Sequence, residues 1–145
     1  MGSLYFGVVT REVTDVKAEQ FLLADSGEGD EQRILIFGRE SFQDWSHLIE
    51  ELYVDGTFLI CPVLFYQFFV VLARRNDYVL PIFYCLLPNK NENTYARTFG
   101  MIRRIFPNLN PDSISVDFEL AIHNAIRTIF LNLIFVDVSF TYSLI

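Results

Sequence analysis

Two cysteines, seven glycines, five prolines, two histidines and one tryptophan are sparse for 145 residues, and each shortage excludes something. Two cysteines cannot build the multi-bridge framework of a small secreted scaffold. Cys61 and Cys85 both sit inside apolar runs, where a buried free thiol is the expected state. No glycine-rich phosphate loop, nucleophile elbow, paired C-x-x-C or H-E-x-x-H occurs. Basic residues are also few, with 11 Lys and Arg against 18 Asp and Glu, and no basic cluster of five or more appears. Residues 1–55 carry twelve acids and four bases, whereas residues 56–145 carry six acids and seven bases. Neither half is basic enough to predict tight nucleic-acid binding by counterion release, so contact with DNA would need a local patch. Met1 to Thr10 lack charge, so no cationic segment leads into an apolar stretch, and a secreted origin is not expected.

What is abundant is apolar surface: 52% hydrophobic and 16% aromatic residues, with 20% charged. Together with a mean hydropathy of +0.30, this excludes a disordered tail, a collagen-like repeat and a coiled coil. A chain this long reads as one domain with a core that needs no staple. The choice lies between a well-filled α/β core and a membrane protein. Gly56 to Ala73 is an uncharged run that reaches the lower length bound for a spanning helix. It contains Pro62 and Gln67, is rich in Phe and Val, and ends at the polar turn Arg74 to Asp77. Two strands buried on both faces account for it better, so no membrane partner is expected.

The predicted elements run as follows. Gly2 to Thr10, Phe21 to Ala24 and Arg33 to Phe37 read as short strands, with a loop at 25–30. Ser41 is a candidate cap for an amphipathic helix carrying Phe42, Trp45, Leu48, Ile49 and Leu52. Strands are predicted over 52–60, 64–73 and 78–87, with Pro81 hinting at an edge or a bulge. A helix from Asn93 or Thr94 presents Tyr95, Phe99, Ile102 and Phe106 and stops before Pro107. A strand at 113–118, a helix at 120–130 with Ala121, Ile122, Ala125, Ile126 and Ile129 inward, and a strand-like tail at 131–145 follow. The order β-β-β-α-β-α-β from Leu52 implies an antiparallel meander followed by parallel crossovers. The fold class is therefore α/β (α+β), a mixed sheet flanked by helices. The chain divides into a weakly patterned acidic segment, 1–38, a core, 39–130, and a divergent tail, 131–145.

Two acids stand out by position. Asp55 lies in Tyr53-Val54-Asp55-Gly56-Thr57-Phe58, mid-strand, where an unpaired carboxylate is costly to bury; it could also be a turn acid before Gly56. Asp117 ends the strand Ile114 to Asp117 just ahead of a helix, where α/β sheets place ligands, and where an N-cap is equally at home. On adjacent strands the two could share a divalent cation, since Mg²⁺ takes one or two carboxylates plus water and phosphate oxygens. Glu119 and His123 share a helix face, either as a metal pair or as solvated residues. His47 reads as a surface residue. Lys90, Arg97, Arg103 and Arg104 could touch phosphates or form an exposed helix face.

The ordered motifs Leu52 to Phe58, Cys61-Pro62, Phe65-Tyr66-Gln67, Leu80 to Lys90, Thr94-Tyr95 and Val116 to Ala121 resemble the transposase domain of Mutator-like elements (MULE), especially copies found in FLYWCH-type zinc-finger proteins. The resemblance spans about Arg33 to Phe130. It implies a ribonuclease-H-like fold, a DDE site that cuts and joins DNA, Mg²⁺ or Mn²⁺ as cofactor, and nuclear residence. It also implies that Asp55 and Asp117, 62 residues apart, are the first two catalytic, metal-holding acids. The family's third acid lies on a later helix; the only acid after Glu119 here is Asp137, in a strand-like stretch. No Cys precedes Cys61 to make an N-terminal zinc finger, and the family's Cys-Phe-His-like segment does not follow Phe130. The chain thus reads as C-terminally truncated and not competent for complete strand transfer. The alternative is a non-catalytic module, domesticated from a transposase, that offers its acidic first 55 residues and an open sheet edge to a protein partner.

Overall fold

In the computed structural model the described residues are 19–57, 61–116, 120–130 and 134–137. They form seven strands, β1 (Leu22–Asp25), β2 (Leu35–Phe37), β3 (Glu51–Thr57), β4 (Gln67–Arg75), β5 (Tyr78–Leu87), β6 (Ser113–Val116) and β7 (Ile134–Asp137). Two α-helices, α1 (Glu92–Ile105) and α2 (Leu120–Ile129), and a 3-10 helix, Glu40–Leu48, complete the described structure. No helix among the described residues is long and apolar enough to cross a membrane. The run at 56–73 belongs to β3, β4 and the connection between them.

One mixed sheet holds all seven strands in the order β1-β2-β5-β4-β3-β6-β7. The first four neighbouring pairs are antiparallel; β3 pairs with β6, and β6 with β7, in parallel. β3, β4 and β5 run as an antiparallel meander, with the polar turn Asn76-Asp77 between β4 and β5, whereas β5-to-β6 and β6-to-β7 need crossovers, which α1 and α2 supply. Both crossovers advance in the same direction across the sheet. Right-handed connections therefore put both helices on one face, and α1 packs on α2 there.

Strand alternation fills that face. Phe69, Val71 and Ala73 of β4, Phe83, Cys85 and Leu87 of β5, Leu52 and Val54 of β3, and Ile114 and Val116 of β6 are all buried. Phe69 meets Tyr95 and Phe99 of α1 at ring distances of 5.7 and 5.8 Å. As predicted, Tyr95, Phe99, Ile102 and Phe106 face inward, as do Ile122, Ala125 and Ile126 of α2. Arg103 Nη1 donates to the Ile129 carbonyl at 3.1 Å, fastening the end of α2 to α1.

The helix after Ser41, its cap and the start of α1 differ from expectation, and the two readings of Pro81 separate. The amphipathic helix is a 3-10 helix: Phe42, Trp45 and Leu48 recur every three residues, and Phe42 stacks on Trp45 with ring centroids 4.9 Å apart. Ser41 is not its cap, because the cap position is Arg39, which makes no side-chain capping bond. α1 begins earlier than expected, with Asn91 Oδ1 accepting from the Thr94 amide at 2.9 Å. Pro81 sits on β5, an interior strand, beside a register shift opposite Val71 and Leu72; it marks a bulge and not an edge. The strands expected at 2–10 and over most of the tail lie outside the described residues.

Candidate functional site

β3 is the strand from which the site is built. It is paired on both sides, antiparallel to β4 and parallel to β6. Its even-numbered residues Leu52 and Val54 point into the helix-covered core at 1% and 2% exposure. Alternation turns Tyr53 and Asp55 to the opposite face, and Asp55 is solvent-exposed there. The cross-strand partners agree: Gly56 lies opposite Phe69, a core residue, whereas Asp55 lies opposite half-buried Val70. The carboxylate predicted to be costly to bury is thus not buried. Gly56 does not make Asp55 a turn residue either, because both belong to the ladder with β4.

The parallel register with β6 pairs Leu52 with Ile114, Tyr53 with Ser115 and Val54 with Val116. Asp117 itself lies outside the described residues, as does Glu119. Asp137 ends β7 and is the Cα partner of Val116, on the far side of β6 from β3. Among the described residues no group of three or more His, Cys, Asp or Glu side chains converges on one point. Asp55 is an exposed residue that carries hard carboxylate oxygens, the donor type that Mg²⁺ or Mn²⁺ takes together with water.

Behind Asp55, on the core side, stands a polar arrangement that the sequence pattern did not single out as functional. Gln67 begins β4 in the same phase as Phe69, Val71 and Ala73 and is 2% exposed. Its Oε1 accepts a hydrogen bond from the Tyr95 hydroxyl at 3.0 Å. Its amide lies against Gly56, so that a side-chain carbon on Gly56 would fall on Gln67 Nε2. One amide at a position where the alternation calls for an apolar residue was the available signal.

The basic residues near α1 are largely engaged in structure. Arg97 bonds Asp30 at 2.6 Å and the Gln32 carbonyl at 3.0 Å. Arg97 holds the Asp30 carboxyl well below the usual carboxylate range, at about 2, with the Ser26 side chain and the Gln32 amide assisting. Arg103 holds α2 and lies 5.1 Å from the Phe130 ring centroid. Arg104 and Lys90 are exposed. His47 is exposed, as expected, and His123 is half-buried. Cys85 is fully buried, and burial alone pushes its thiol far up; Cys61, half-buried, is raised by the same cause.

An open hollow of about 1060 Å³ lies between β1, α1 and the 3-10 helix, lined by Leu22, Ala24, Ala96, Gly100 and Ile105 among others. Asp55 does not line it. Its charged rim includes Arg97 and Asp25, already paired with Asp30 and Arg33. Comparison with protein-family models matches none, and no curated protein matches the chain.

Proposed function

We propose that this chain is a ribonuclease-H-like domain of the Mutator-like transposase type, in which Asp55 and Asp117 hold one divalent cation. The observation that carries the reading is the combination of strand order and register. Within the sheet, β5-β4-β3-β6-β7 is a five-strand unit in which only β4 runs against the others. That is the order a ribonuclease-H-like core requires. On its central strand the exposed acid follows Val54, and Val54 lies opposite Val116, which Asp117 follows in sequence. That order and the place of Asp55 on β3 are what support the reading.

A cation held there would activate water or a DNA 3′-hydroxyl and stabilise a leaving oxygen. In this reading Asp55 and Asp117 would hold the ion between them. The expected property is divalent-metal binding at this pair, and DNA as the target implies nuclear residence. The test is Mn²⁺ calorimetry on the full chain. One site that disappears in both Asp55→Ala and Asp117→Ala is expected; binding retained in both variants overturns the reading.

A second reading, a protein-interaction module, draws on a different surface. Leu48, Tyr78 and Val79 are 55%, 74% and 46% exposed. Nearby, Arg75 lies 4.6 Å from the Trp45 ring centroid, a composition typical of interface anchors. Partner capture that persists in chelator and is lost in Trp45→Ala would favour it over the metal site.

A further inference from the structure

The polar group behind β3 is expensive as mere filling. An amide buried among Phe69, Val71 and Ala73 costs free energy unless its hydrogen bonds are met, and Met would occupy the same volume without that demand. Gln67 is nevertheless held at both ends. Tyr95, 0% exposed and packed against Phe69 with ring centroids 5.7 Å apart, donates to its Oε1 at 3.0 Å. Gly56 leaves the room that its Nε2 fills. Tyr95 belongs to α1, Gln67 to β4 and Gly56 to β3, so the three tie the first crossover helix to the carboxyl end of the central strand.

We propose that Gln67, clamped between the Tyr95 hydroxyl and Gly56, is a positioning residue for the Asp55 carboxylate. The inference rests on Asp55 being a metal ligand. Asp55 and Gly56 share one peptide unit and face opposite sides of the sheet. The amide pressed on Gly56 from the core side therefore fixes how far the Asp55 side chain stands out on the other. Metal ligation tolerates displacements of only about 0.2 Å, and loss of a residue that orients a ligand typically weakens affinity about 10- to 100-fold.

The experiment uses the full chain and reads the Asp55 carboxyl ¹³C resonance, with the Asp30 resonance as a control, and Mn²⁺ as the metal probe. Gln67→Met keeps the volume and removes the amide; Tyr95→Phe removes a single oxygen and keeps the packing. In both folded variants the Asp55 resonance shifts while that of Asp30 stays, and Mn²⁺ affinity falls about tenfold. Gly56→Ala shifts the same resonance where it folds. An Asp55 resonance unmoved by Gln67→Met and Tyr95→Phe overturns the proposal, because a purely space-filling Gln67 predicts that result. If the resonance moves but Mn²⁺ fails to broaden it in the wild type, positioning by Gln67 stands and the metal reading falls.

Discussion

Asp30 and Arg97 lie 67 positions apart, yet their side chains meet at 2.6 Å and tie the loop after β1 to the middle of α1. The carboxyl, with a folded value near 2 against an ordinary 3.8, binds fewer protons in the native chain than in the unfolded one. The stability it contributes is therefore complete above about pH 4 and is lost as pH falls toward 2. Asp30→Asn is expected to flatten that part of the curve; urea midpoints measured from pH 5 to pH 2 check it. Phe69 illustrates the apolar counterpart. It is fully buried between Tyr95 and Phe99, and Phe69→Ala should cost about 3–5 kcal/mol in urea unfolding. Phe69 is legible as core from the unbroken apolar run at 68–73, which does not show the face it takes. The Asp30–Arg97 pair was not, because nothing local links residues so far apart in sequence. Gln67 is legible only as the one amide of the apolar run at 56–73, and its surroundings need Tyr95 and Gly56 in place.

Among the elements, α1 and α2 are marked by their periodicity and β5 has the expected bounds, 78–87, whereas the start of α1 differs. α1 was recognised from Tyr95, Phe99, Ile102 and Phe106, but its start was placed near Asn93 or Thr94, whereas Asn91 caps it. A cap is a single hydrogen bond, and several Asn and Thr residues at 89–94 could supply it. Asn91→Ala should lower stability by about 1 kcal/mol, read from the urea midpoint. The 3-10 helix shows a different limit. Phe42, Trp45 and Leu48 fit a period of three, and counting Ile49 and Leu52 with them suggested α. Ile49 is extended, with ψ 118°, and hands the chain to β3 at Glu51. Gly38, just after β2, marks a close approach that no pattern foretold: a side-chain carbon there would run into the Ile82 carbonyl of β5. Gly38→Ala is expected to cost about 1–3 kcal/mol, unlike the same change at Gly29, where nothing lies within reach.

At the level of the whole molecule, the order of elements from Leu52 carried most of the topology. A meander of three strands followed by two crossovers leaves few arrangements once connections must be short and right-handed. The additions made by β1 and β2 at the far side of β5 had no such constraint, since a strand of three or four residues carries little pattern. Register was equally hidden. The alignment of Val54 with Val116 depends on how α1 and β6 pack, and no short-range signal sets it. The candidate site inherits this division. Asp55 and Asp117 stand out from their places in the sequence; the register is described as far as Val54 and Val116, the residues that precede them.

The most direct test is a double-mutant cycle on Mn²⁺ binding with Asp55→Asn, Asp117→Asn and the double variant. If both carboxylates hold one ion, either single change removes most of the affinity and the second adds almost nothing, a strongly non-additive result. Affinities that are unchanged by both single variants, or that fall independently and additively, contradict the account.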